Sequence, residues 1–193
     1  LRRRKLPVEN VVWLIVGMAL FRNRPISEIV ERLDLVLPGQ EGNQKGIAKG
    51  SITPARDRLG VEPLRSLFEA TARRWAEESV KRYPWRGLTL LGIDGTTLRV
   101  PDSVENRREF ETHSGSNYPM VRLAMLMGLR SRVAVDCSFS GCRTGENTLA
   151  KELLVSIPDD SLTVLDRYFH NYSIWHAIRT SGQNRQWLVR ARE

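Results

Sequence analysis

Cysteine, histidine and long apolar runs are all scarce in this chain of 193 residues, which holds two cysteines and three histidines. Cys137 and Cys142 have no further pair to complete a zinc site. Nor do they make a disulfide framework, so a reducing cytoplasm is the expected compartment. His113, His170 and His176 share no metal-ligand spacing and read as surface or packing residues. The longest apolar run, "VVWLIVGMALF" at 11 to 21, is well short of the roughly 20 residues that cross a bilayer. The preceding "LRRRKLP" looks like the basic flank of a signal peptide, but Glu9 and Asn10 abut the apolar run and no small-residue cleavage site follows. The run therefore reads as a buried helix. No repeat or low-complexity tract is present. An initiating methionine is also lacking and the last residues, "LVRARE", close at or just after a strand pattern, so the chain reads as a piece of something longer.

Negative charge is in deficit. Thirty Lys and Arg against 22 Asp and Glu leave a net charge of +8, which suits a polyanionic partner or simply a solvated basic surface. The apolar and charged fractions are those of a globular protein long enough to bury a core.

The first part reads as helices. Pro7 fits a first turn, and apolar residues follow to Phe21. After "NRP", Ile26, Ile29, Val30 and Leu33 recur at helical spacing. The pair is either a helix-turn-helix that reads DNA or an ordinary helical hairpin. "PGQEGNQKGIAKG" (38 to 50) is a glycine-rich basic loop. "SITPARDRLG" then forms a short helix with Ser51 or Thr53 as N-cap and Gly60 as stop. A long amphipathic helix follows, with Leu64, Leu67, Phe68, Thr71 and Trp75 along one stripe.

At "YPWRG" (83 to 87) the period changes from helix to strand, which sets a boundary between a helical domain, 1–82, and a second domain, 87–193. Strands are expected at "LTLLGID", at "TTLRVPD" as its partner, at "YPMVRLAMLMGL" after a polar loop from 102 to 117, and at "RVAVDCSFS". A helix capped by Thr144, a strand at "SLTVLD", a helix at "SIWHAIRTSG" and a strand at "RQWLVRA" complete the series. The fold class is therefore mixed α/β (α+β).

Asp94 and Asp166 carry the chemistry. "DG" after "LTLLGI" is a hairpin signal, and Asp tolerates the turn conformation. Asp166, however, also ends an apolar run and no glycine follows it. If a helical crossover makes the two strands parallel, both carboxylates emerge at one sheet edge, where open α/β sheets bind ligands. Neighbouring carboxylates need a cation between them, and Mg²⁺ takes one or two carboxylates plus water and phosphate oxygens. Such sites activate an attacking oxygen and stabilise a leaving one. Asp136 is expected on a solvent-facing side of its strand. Glu146 and Glu152 are expected to serve a helix's first turn and surface, and Tyr168 and Tyr172 to fill the core edge rather than stack on a base.

Several stretches carry a family resemblance: "RRRKLPVENVVWLIVGMAL", "IVERLDLVLPG", "ARDRLG", "GLTLLGIDGTTLRVPDSVEN", "YPMVRLAMLMGL", "GENTLAKELL" and "LTVLDRYFHN". Together the chain resembles insertion-sequence four family transposases of the DDE type. The resemblance implies a helical N-terminal domain and the first part of an RNase H-like catalytic core. It implies Asp94 and Asp166 as the first two catalytic, metal-holding carboxylates, with Mg²⁺ (Mn²⁺ as substitute), and cutting plus strand transfer at the ends of a mobile element. It further implies double-stranded DNA as partner, possible homodimerisation on that DNA and a bacterial, nucleoid-associated location. The family's third carboxylate, a glutamate in a Tyr-Arg-Glu-Lys signature, has no match in 167 to 193. The piece alone is therefore expected not to transpose. Arg2, Arg3, Arg4, Lys5, Lys45, Lys49, Arg56 and Arg58 are candidate phosphate contacts, and Arg107, Arg108 and Arg167 are candidates to steer DNA to the carboxylates. A metal-dependent nuclease of related fold and a catalytically dead DNA-binding or assembly fragment stand as alternatives.

Overall fold

A computed structural model of the chain describes residues 6–35, 49–82, 84–112 and 115–191, with the backbone only at 49 and 79–81. Contacts divide it into two compact units, Leu1–Phe68 and Glu69–Glu193.

The first unit is helical. Pro7 is the N-cap of α1 (Val8–Leu20), one place before the expected first turn. Its missing N–H costs nothing there, because the first amides of a helix have no internal partner. The apolar run of α1 is a buried helix as read: Leu14 is wholly covered and clusters with Ile29 of α2 (Ile26–Arg32) and Ile52 of α3 (Lys49–Leu59). Leu6, Val11 and Ala55 form a second cluster. α2 packs so closely on α1 that a Cβ on Gly17 would lie 2.8 Å from Ile29 Cγ2.

Helix α3 starts at Lys49, ahead of Ser51 and Thr53, so neither residue is its N-cap. It ends at Gly60, whose φ of 69° is costly for any residue with a Cβ. The loop at 38 to 50 lies outside the described residues up to position 48. α4 (Glu62–Arg82) is the long helix expected, although Leu67 and Trp75 of its apolar stripe are exposed and, among its described side chains, the buried one is Ala72.

The second unit is built on one mixed sheet in the order β3-β2-β1-β4-β5. Its strands are β1 (Thr89–Arg99), β2 (Met120–Gly128), β3 (Ala134–Gly141), β4 (Ser161–Leu165) and β5 (Arg185–Val189). β1–β2 and β2–β3 are antiparallel, whereas β1–β4 and β4–β5 are parallel. The parallel pairs need crossovers, which α6 (Glu146–Leu153) and α7 (Tyr172–Thr180) supply. One sheet face buries Leu91, Ile93, Ala124, Leu126 and Leu165 against Leu149, Ala150 and Leu153 of α6 and Ile174 and Ile178 of α7. Each leucine or isoleucine among them contributes roughly 1.5–3 kcal/mol, so this core fixes the strand register on which the site depends.

Several expectations about this unit fail. "TTLRVPD" is not a second strand: β1 runs unbroken through Asp94 and Gly95, and β2 pairs with it from Leu91↔Gly128 to Arg99↔Met120. The Asp-Gly turn signal is local, and a long antiparallel partner overrides it. Within the supposed loop at 102 to 117 lies α5 (Val104–Phe110), started by Ser103, whose hydroxyl accepts the Asn106 N–H at 3.2 Å. The N-cap of α6 is Gly145, while Thr144 donates its hydroxyl to Ser140 Oγ at 3.0 Å.

Asp136 is half-buried rather than solvent-facing. It accepts the Ser156 hydroxyl and, at 2.8 Å, the Cys137 N–H. With the 2.5 Å bond from Ser138 to Glu152, this pins α6 and its following turn to β3. Burial, and then the Asp136 charge, push the Cys137 thiol upward.

Candidate metal site and nucleic-acid interface

Parallel pairing of β1 and β4 ends at Ile93↔Leu165. The next residue on each strand is an aspartate. Asp166 keeps extended backbone (φ −75°, ψ 172°), so the register carries Asp94 and Asp166 side by side, about 5 Å apart in the backbone. Ile93 and Leu165 face the core, and by alternation both carboxylates point to the opposite face. Both residues are exposed. β4 stops here while β1 continues to Arg99, so the two groups sit where the sheet loses a strand.

Each carboxylate is oriented by one backbone donor. Asp94 Oδ1 accepts the Gly95 N–H at 2.8 Å, and Asp166 Oδ1 accepts the Tyr168 N–H at 2.8 Å. Neither aspartate forms an ion pair among the described residues. In water, two unit charges about 5 Å apart repel by on the order of 1 kcal/mol, a cost that single hydrogen bonds offset and a cation reverses. The donors are all oxygen, and together with water and phosphate oxygens they fit a hard divalent cation. Among the described residues no group of three or more His, Cys, Asp or Glu is placed to hold an ion.

Glu146 opens the first turn of α6, as expected of it, and it also stands close to this edge. Its Cδ lies 2.6 Å from where a Cβ on Gly95 would be. Gly95 is thus the gap into which the first residue of α6 places its carboxylate, on the core side of the same strand whose outer side carries Asp94. Sequence alone gave one usable hint, a glycine inside an otherwise apolar and β-branched strand.

The described basic candidates differ in how far they are free to meet a ligand. Arg56 and Arg58 are exposed in the last turn of α3. Arg107 is engaged, with bonds of 2.5 and 2.8 Å to Asp102 and 3.0 Å to the Asn117 carbonyl. Hydrogen bonding to Arg107 holds the Asp102 carboxyl below its ordinary range. Arg108 and Arg167 are exposed. Arg2, Arg3, Arg4, Lys5 and Lys45, the side chain of Lys49, and His113 lie outside the described residues. Tyr168 and Tyr172, expected to fill the core edge, are 49% and 74% exposed. No helix of the described residues is long and apolar enough to cross a membrane.

The transposase DDE domain family matches residues 85–193, and the insertion element 4 transposase N-terminal family matches residues 1–69. The chain belongs to the DDE transposases. It is 39% identical over 197 residues to the transposase InsG for insertion sequence element IS4 of Escherichia coli (strain K12), covering 100% of this chain and 44% of that protein. It is 35% identical over 195 residues to InsZ of the same strain, which bears a provisional transposase name, covering 98% of this chain and 63% of that protein. The chain therefore spans less than two thirds of either relative. A chain of the piggyBac transposase synaptic complex with hairpin DNA overlaps 96% of this chain and 41% of its own length at 10% identity, with a TM-score of 0.43. Membership of the DDE family implies a divalent metal cofactor.

Proposed function

We propose that this chain carries the DNA-contacting helices and the first two metal-holding carboxylates of a transposase that moves an insertion sequence by cutting and rejoining DNA. The observation that supports it is the β1–β4 register, in which Ile93↔Leu165 is followed on both strands by an aspartate. Residues 1–82 are the proposed DNA-binding domain and 87–193 the first part of the catalytic domain, and the protein works as a homodimer on double-stranded DNA. Arg56, Arg58, Arg108 and Arg167 are proposed to meet phosphates, with Arg107 joining them if its pair with Asp102 opens.

Asp94 and Asp166 would hold the cation, Mg²⁺ with Mn²⁺ as substitute, since a pair of carboxylates suits a hard divalent ion that also takes water and phosphate oxygens. When bound, the ion supplies Lewis-acid activation of the attacking oxygen and screens the charge on the phosphate. The chain's own part is positional: the Gly95 and Tyr168 amides each fix one carboxylate oxygen, leaving the other to face the ligand. The third carboxylate is a glutamate that residues 167 to 193 do not supply.

The test is a strand-cutting and joining assay with end-containing DNA and Mg²⁺, using the complete reading frame. Asp94→Asn and Asp166→Asn should abolish cutting and joining while DNA binding persists. Cutting without joining would make it a nuclease, and binding with no metal-dependent cutting in the unsubstituted protein would make it an assembly module.

A further inference from the structure

The stretch that follows Asp166 differs in chemistry from the rest of the molecule. Residues 167 to 192 contain five arginines and two histidines and no aspartate or glutamate. Tyr168 belongs to the one-turn helix Arg167–Phe169, and its own N–H donates to Asp166. Its ring meets that of the wholly buried Phe169 edge to face, with centroids 6.0 Å apart, so the ring is braced on the core while half of it stays in water. Tyr172 opens α7 behind the Asn171 cap and tilts against His176 at 5.7 Å. His170 stands edge-on to Trp175, which stacks on Trp187 at 4.8 Å and donates its indole N–H to the Phe169 carbonyl. The backbone between the two tyrosines is thereby tied to the core at several points, while the tyrosine rings stay exposed, as do His170, His176 and Trp187.

From this placement we infer that Tyr168 and Tyr172 form a stacking platform for an unpaired nucleobase beside the Asp166 carboxylate. The occupant is a single DNA strand rather than a duplex. Stacking requires the face of a base, which a paired duplex hides, and an aromatic surface with cationic neighbours and no carboxylate between Asp166 and Glu193 is how proteins hold a single strand. Arg167 takes the phosphate of the stacked nucleotide, so the backbone next to that base is led to the carboxylate pair. This deepens the transposase reading and rests on it for the location of the reacting phosphate, but base stacking itself requires no metal.

The experiment is binding of fluorescein-labelled single-stranded and fully paired oligonucleotides to the chain in EDTA, so that failure of the metal reading leaves it untouched. Tyr168→Ala and Tyr172→Ala should each weaken single-strand binding roughly tenfold, Tyr→Phe at either position should restore it, and duplex binding should barely move. A second measurement needs no variant: photocrosslinking of a 5-iodouracil oligonucleotide to the unsubstituted chain should map to Tyr168 or Tyr172. Alanine variants that bind single strands normally, equal losses for single strand and duplex, or crosslinks confined to other residues would each overturn the platform.

Discussion

At the scale of single residues, Gly95 and Glu146 show how a side chain that is absent organises a site. In an unencumbered strand, alanine in place of glycine is stabilising by roughly 0.5–1 kcal/mol, because glycine loses more backbone freedom on folding. At position 95 the new methyl group would meet Glu146, so that gain should vanish. It should reappear once Glu146 is shortened: Gly95→Ala is expected to raise stability by roughly 0.5–1 kcal/mol in a Glu146→Ala background and by nothing in the unsubstituted chain. Urea unfolding of the four proteins measures the coupling directly, and equal effects in both backgrounds would mean that Glu146 does not occupy the gap.

At the scale of elements, two attachments can be tested apart from any chemistry. Ser103 caps α5, so Ser103→Ala should cost about 1 kcal/mol, seen as a lower urea midpoint with little change in slope. Asp159 accepts the Gln183 N–H at 2.9 Å and Arg185 Nε at 2.9 Å, which ties the turn before β4 to the entry of β5. The amide bond first, and Arg185 second, hold its carboxyl below the ordinary range. The folded value lies below the unfolded one, so the stabilisation is complete above about pH 4 and lost as pH falls through the lowered value. Protection of the amides at the start of β5, taken relative to their intrinsic exchange rate at each pH, should therefore fall on acidification below about pH 4. In Asp159→Asn it should lose that pH dependence.

The same elements show what the sequence allowed a reader to see. Period and composition located the helices other than α5 and the segments of the five strands, with β1 divided in two, and the pairing of strand-end aspartates with a helical crossover anticipated the parallel neighbours β1 and β4. The hairpin at Asp94-Gly95 was misread because turn propensity is local, whereas the partner that keeps β1 extended, β2, begins more than twenty residues later. α5 was hidden by its charge: "VENRREF" has no apolar stripe, and only Ser103 ahead of Asn106 marked its start. Glu146 was legible as a helix-opening acid, but that it reaches a glycine in β1 depends on how α6 lies on the sheet, which no spacing rule reports.

For the molecule as a whole, the excess of positive charge is the property most open to measurement. If Arg56 and Arg58 contact phosphate, DNA affinity should fall steeply with salt, and each Arg→Ala change should lower the log–log slope by about one. A solvated basic surface with no docking role would leave the slope unaltered. Arg107→Ala should do less, since that side chain is already bonded to Asp102.

The account rests on Asp94 and Asp166 sharing one cation, and titration of the chain with Mn²⁺, with free ion followed by paramagnetic resonance, tests this without DNA or turnover. One ion should bind the unsubstituted chain, and Asp94→Asn and Asp166→Asn should each weaken it by about tenfold or more. An unchanged affinity in either variant would contradict the shared site.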